Sequence, residues 1–169
     1  TITTNDDSGT DADVTIDNGT TALILAASTI DGDLSLTSGH ASGITVNGTL
    51  TVGGNLAAIT DANNGVITLD QLAVDGTVAL TTNGSGNATV VNDAALNLAA
   101  STVGGALSAT ATTGNMSDSG NVTVAGTSSF TTSANNATIT LNNTNALTGA
   151  VTITTNDDSG TDADVTIDN

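Results

Sequence analysis

Apolar residues alternate with Thr, Ser or Ala in short segments along the whole chain. The first half holds Ile2-Thr3-Thr4, Val14-Thr15-Ile16, Leu23-Ile24-Leu25, Leu34-Ser35-Leu36, Ile44-Thr45-Val46 and Leu50-Thr51-Val52. The alternation continues in Val66-Ile67-Thr68-Leu69, Val78-Ala79-Leu80, Leu96-Asn97-Leu98, Val122-Thr123-Val124 and Ile139-Thr140-Leu141. A period of two places every second side chain on one side of an extended backbone, so each segment predicts a strand with one buried face. Asn-Gly, Asp-Gly and Gly-Gly pairs at Asn18-Gly19, Asp31-Gly32, Asn47-Gly48, Gly53-Gly54, Asp75-Gly76, Asn83-Gly84 and Gly104-Gly105 punctuate them as turns. No segment sustains a helical period. The chain is expected to be all-β.

The strands belong to a repeat. TITTNDDSGTDADVTIDN fills Thr1–Asn18 and returns letter for letter at Thr152–Asn169, an offset of 151 residues. Residues 1–151 therefore read as one full repeat of a longer tandem array, and 152–169 as the start of the next. A weaker likeness lies inside it: ALILAASTIDGDLSL at 22–36 matches ALNLAASTVGGALSA at 95–109, offset by 73. It divides the repeat into half-repeats, 22–94 and 95–151 plus 1–21. A fixed internal period points to a quasi-one-dimensional stack, here a parallel β-solenoid. With about 19 residues to a three-sided coil, one repeat holds about eight coils and advances roughly 38 Å at strand spacing. A hairpin-built sandwich is the rival, because Asn-Gly also makes hairpin turns. Short strands, small core residues and an open-ended repeat favour the solenoid.

Composition narrows the reading. Phe130 is the one aromatic residue, which suits a narrow interior of stacked Val, Ile, Leu and Ala rather than a wide sandwich core. Lys and Arg are absent and the net charge is −17, all of it from Asp. A surface without cations cannot neutralise phosphates, so nucleic acid and anionic membranes are not expected partners. No apolar run approaches the length of a membrane-spanning helix, and no membrane insertion is expected. Without Cys, disulfides and thiolate metal sites are excluded.

The stretch ALNLAASTVGGALSATATTGNMSDSGNVTVAGTSSFTTS at 95–133 resembles the coils of filamentous haemagglutinin-type exoproteins. The matching elements are Leu-x-Leu, then Ser101-Thr102-Val103-Gly104-Gly105, then Gly120-Asn121-Val122-Thr123-Val124-Ala125-Gly126-Thr127. Degenerate versions recur at Ser28–Gly32 and Ile44–Thr49, so the likeness covers most of the repeat. No secretion-recognition domain is visible, and the lack of Lys and Arg departs from that family. The resemblance implies a right-handed β-helix and an extended extracellular or cell-surface stalk or adhesive filament.

Clustered carboxylates are the strongest candidate chemistry. In Asn5-Asp6-Asp7-Ser8-Gly9-Thr10-Asp11-Ala12-Asp13, Asp11 and Asp13 would project to one side of a strand, and hard cations seek such oxygens. Asp6, Asp7, Asp11 and Asp13 are the candidate calcium ligands; the plain alternative is a solvated acidic turn. The spacing is neither that of an EF-hand nor that of a β-roll. Catalysis is not expected: no Lys or Arg stands ready to stabilise an anion, and no Trp or Tyr to stack on a sugar. No cofactor is required. His40 reads as an exposed turn residue, and Met116 and Phe130 as core filling. Eight Asn-x-Ser/Thr sequons, at Asn18, Asn47, Asn83, Asn87, Asn115, Asn121, Asn136 and Asn142, matter only where the source glycosylates its surface proteins. Thr-x-Thr tracts such as Thr49-Leu50-Thr51 are too irregular in sequence for an ice-ordering face. The expected function is mechanical: a stiff, acidic extracellular fibre whose partners are neighbouring copies of the same repeat. An adhesin module that contacts a surface glycan, with or without calcium, is the alternative.

Overall fold

A computed structural model describes residues 1–4, 11–156 and 162–169. Every strand pairing in it is parallel, and the described residues contain no helix. Four coils of two strands come first: β1 (Val14–Asp17) with β2 (Leu23–Ile30), β3 (Leu34–Ser38) with β4 (Ile44–Val52), β5 (Leu56–Asn63) with β6 (Ile67–Val74), and β7 (Thr77–Asn83) with β8 (Ala88–Asn92). Three coils of three strands follow. They are β9 (Leu96–Leu98), β10 (Ser101–Val103) and β11 (Leu107–Ala111); β12 (Met116–Asp118), β13 (Val122–Val124) and β14 (Ser128–Asn135); then β15 (Ile139–Leu141), β16 (Ala146–Leu147) and β17 (Val151–Asn156). β18 (Val165–Ile167) opens the next coil.

Even-numbered strands of the first half continue into β11, β14 and β17 as a seven-stranded sheet, one strand per coil. The remaining strands form an eleven-stranded sheet, whose main column runs from β1 through β3, β5, β7, β9, β12 and β15 to β18. The molecule is therefore a β-solenoid, as the alternation and the repeat led us to expect. Its pitch corrects the expected coil. From Leu23 to Val151 the seven-stranded sheet takes six steps, so a coil averages about 21 residues rather than 19. Seven steps carry β1 to β18, its copy 151 residues on. A repeat thus holds seven coils, not eight, and advances ~34 Å rather than 38.

The third side of the coil is built in two ways. In β2 and β6 the inside-outside alternation slips once, between Ala26 and Ser28 and at Asp70-Gln71, whereas β4 keeps its alternation across Gly48 with one residue more than its two neighbours. The ladder register shifts at the same places. Each long strand therefore turns a corner through a bulge, an extra residue that bends the chain without ending the strand. The Asn47-Gly48 pair, expected as a turn, lies in such a corner inside β4, and the two segments read as separate strands are one. In the second half the third strand, β10, β13 or β16, is independent and flanked by turns, and β10 stacks on β7 rather than on the bulged strand ends. Asn92 sits where one construction gives way to the other: its buried amide accepts from the Val74 N–H at 2.8 Å and donates to the Val74 and Ala95 carbonyls.

Inward positions stack coil on coil into one core of Leu, Ile, Val and Ala, with Met116 and Phe130 fully buried in it. Where a corner must close tightly, glycine is obligatory. Gly43 has φ +63°, and a Cβ there would lie 1.7 Å from the Val66 carbonyl oxygen of the next coil.

Candidate functional site

The acidic stretch singled out in the sequence is only partly within view. Asp6 and Asp7 lie outside the described residues. Asp11 is exposed, and Asp13 stands at the corner that leads into β1. Its carboxylate oxygen Oδ1 accepts the Asp33 N–H at 2.8 Å. Asp33 Oδ1 in turn accepts the Asn55 N–H at 2.6 Å and is reached by the Asn55 amide at 3.2 Å, while Asn55 Oδ1 accepts from the N–H and the hydroxyl of Thr77, each at 2.9 Å. Each side chain caps the backbone of the coil above, so the ladder that strands make for themselves continues around the corner. Glycines 32, 54 and 76 line the same corner because a Cβ there would collide with these acceptors or with the backbone of the coil below. Asp13 therefore has a structural task. Among the described residues no three Asp or His side chains converge into a metal-sized cluster.

Three further side-chain acceptors cap the next coil in the same way at other corners. Asn64 Oδ1 accepts from the Ser85 N–H and hydroxyl, Asn87 Oδ1 from the Ala106 N–H, and Asn115 Oδ1 from the Thr138 N–H. Two sequon asparagines, Asn87 and Asn115, are thus engaged in holding coils together. His40 is exposed in the turn before Gly43, where its Nδ1 accepts the Ser42 N–H at 3.0 Å. At the N-terminal end the Thr4 hydroxyl donates to Asp31, and this hydrogen bond holds the Asp31 carboxyl below its ordinary range against the opposing effect of desolvation.

The most enclosed carboxylate among the described residues is one the sequence did not flag. Asp118, at the end of β12, is buried inside the coil. Its Oδ1 accepts the Asn142 N–H at 2.9 Å and the Asn143 amide at 3.0 Å, and its Oδ2 accepts the Asn145 amide at 2.8 Å. Asn145 is itself buried and takes the Val122 N–H on its Oδ1 at 2.8 Å. With N–H donors on both oxygens, the carboxylate organises the Asn142-Asn143-Thr144-Asn145 turn and presents no face to a cation.

The regular outer surface lies on the seven-stranded sheet. Ladder register places Ile24, Thr45, Thr68, Thr89, Ser108, Ser129 and Thr152 in one outward column. Six successive coils thus present a hydroxyl at the same place, about 4.8 Å apart. Val91, Thr110, Thr131 and Thr154 form the column beside it. Among the described residues none of the hydroxyls in the first column is committed to a hydrogen bond. In a molecule of charge −17 this column contains no Asp, and it forms a neutral hydroxyl stripe.

The family model described as repeats of unknown function, DUF5649, matches residues 11–83 and again 85–154, two units whose starts are 74 residues apart. Together they cover most of the chain, which belongs to this repeat family. No curated protein and no solved structure matches it.

Proposed function

We propose that this member of the DUF5649 repeat family is a structural element, a stiff acidic segment of an extracellular fibre or stalk in which copies of the repeat continue one another along the axis. One observation supports this above the others: seven coils carry β1 to a strand of identical sequence, β18, in the same column. A stack that returns to its own beginning extends without a change of cross-section, and each new coil pairs the backbone edge left by the last. The absence of Lys and Arg gives such a fibre uniform negative charge and leaves trypsin no cleavage site. The likeness to haemagglutinin-type exoproteins agrees with a surface location. Pulling single molecules of a multi-repeat chain tests the proposal. A load-bearing fibre keeps its contour length and stiffness in chelator until whole coils unravel; a chain that extends softly at low force has no mechanical role.

The second reading, an adhesin module, draws on the neutral hydroxyl stripe. Repeated Thr and Ser hydroxyls suit an uncharged, repetitive polyol such as a surface glycan, whereas a polyanion is repelled by the surrounding Asp. Calcium held by Asp11 and its acidic neighbours in sequence would belong to this second reading. Saturable glycan binding that disappears when Thr68 and Thr89 are replaced by Asp would favour the adhesin.

A further inference from the structure

Four Asn-Gly peptide bonds occur in the chain, at Asn18-Gly19, Asn47-Gly48, Asn64-Gly65 and Asn83-Gly84. Such a bond can rearrange without an enzyme: the glycine nitrogen, its proton taken up by solvent base, attacks the asparagine Cγ. A new C–N bond closes a succinimide, Nδ2 leaves as ammonia, and water then opens the ring. Attack of water at Cγ gives aspartate, and attack at the backbone carbonyl gives isoaspartate with an added methylene in the main chain. The fold treats the four bonds differently. Asn18 Nδ2 donates to the Ala22 carbonyl at 2.9 Å, and the Gly19 N–H is held by Asp17. Asn64 Oδ1 accepts two bonds from Ser85, and the Gly65 N–H is held by the Ala62 carbonyl. Asn83 Nδ2 donates to the Asp61 carbonyl at 2.9 Å.

Asn47 is different. Its side chain is exposed and, among the described residues, has no hydrogen-bond partner. Gly48 has φ +130°, and neither neighbouring strand places a residue in register with it, because the ladder steps from Asn47 to Leu50 on one side and from Thr45 to Leu50 on the other. The other three asparagines must break side-chain hydrogen bonds before Cγ can swing toward the glycine nitrogen; Asn47 breaks none. We infer that Asn47-Gly48 is the preferred site of spontaneous deamidation and isoaspartate formation in the folded protein. The product adds a carboxylate, and its isoaspartate form lengthens the backbone within the bulged corner of β4.

The full folded chain, aged in mildly alkaline buffer, should be cleaved at Asp, since trypsin has no site. Its peptides are then read by mass spectrometry for the NH₂-to-OH mass gain and by isoaspartyl methyltransferase labelling. Conversion at Asn47 several-fold faster than at Asn18, Asn64 and Asn83 is the expected result, with the difference collapsing when the same chain is aged in denaturant. Equal or faster conversion at any of the other three in the folded chain, or an unreactive Asn47 beside reactive sites in denaturant, overturns the inference.

Discussion

Phe130 lies directly above Ala109 in the interior of the seven-stranded sheet, in register across β11 and β14, and both are fully buried. The pair is complementary in size: the single aromatic ring of the chain fits because the coil below contributes only a methyl group. In a solenoid this narrow each layer touches only the layers on either side, so volume must be balanced between neighbours. Phe130→Ala should cost about 3–5 kcal/mol by opening a cavity. Ala109→Leu should cost about 1–3 kcal/mol by overpacking against the same ring. Combining Ala109→Leu with Phe130→Ala should cost less than the two separate losses added together. Chemical denaturation of the four proteins measures this coupling, and strict additivity would show that the two residues do not pack against each other.

The Asp118 carboxylate should behave as a structural acceptor. Asp118→Ala removes a buried group to which Asn142, Asn143 and Asn145 donate, and donors left without partners cost about 1–3 kcal/mol. Asp118→Asn retains the shape but turns NH₂ toward one set of donors, so it should destabilise as well. Neither loss should depend on calcium or chelator; a calcium-dependent melting temperature that vanishes in Asp118→Ala would assign the residue to a metal site instead.

Ser128 is buried with an unpartnered hydroxyl among the described residues, between Leu107 and Val151 in its column. Ser128→Ala should leave the fold unchanged and stabilise it by up to about 1 kcal/mol, because the hydroxyl has lost its water without replacement. A loss of stability on thermal melting would reveal a partner for the hydroxyl.

All side-chain charges are carboxylates except that of His40 when protonated, so added salt has almost no attractive ion pairs to weaken and mainly relieves repulsion. The melting temperature should rise as ionic strength increases from about 0.01 to 0.15 M, where the screening length falls from ~30 to ~8 Å. A fall over that range would contradict an unpaired acidic surface.

Thr4 should set the titration of Asp31. The hydrogen bond stabilises the charged carboxylate, so its contribution is present above the ordinary carboxylate pKa and is lost as pH falls through the lowered value in the folded state. Thr4→Val should move the Asp31 titration up toward the ordinary range, followed by the carboxyl carbon resonance in NMR. An unmoved midpoint would assign the shift to another cause.

How much of this was legible in the sequence depended on the range of the interaction. Alternation is a local property, and it placed Val14, Leu34, Leu96, Val122 and Ile139 in strands and on their inner faces. It could not distinguish a turn from a bulge at Asn47-Gly48, because both require the same permissive glycine. Coil length was harder to read. Successive strands of the seven-stranded sheet follow at uneven intervals, with Ala88 opposite Leu107 but Ile44 opposite Ile67, so no fixed spacing brought the hydroxyls of Thr45, Thr68, Thr89 and Ser108 together on the page. The partners of Asp118 lie a full coil away, at Asn142 to Asn145, and a lone Asp between two Ser gives no local sign of burial. Asp11 and Asp13 stood out for the opposite reason, since neighbouring carboxylates are conspicuous in sequence whether they serve a metal or, as Asp13 does, cap the next coil.

The axial advance per repeat tests the architecture most directly. Chains of one, two and three 151-residue repeats, examined by small-angle X-ray scattering or electron microscopy, should have a constant cross-section and grow by ~34 Å for each repeat added. An increment near 38 Å would restore eight coils, and growth in width rather than length would contradict the continuous stack itself.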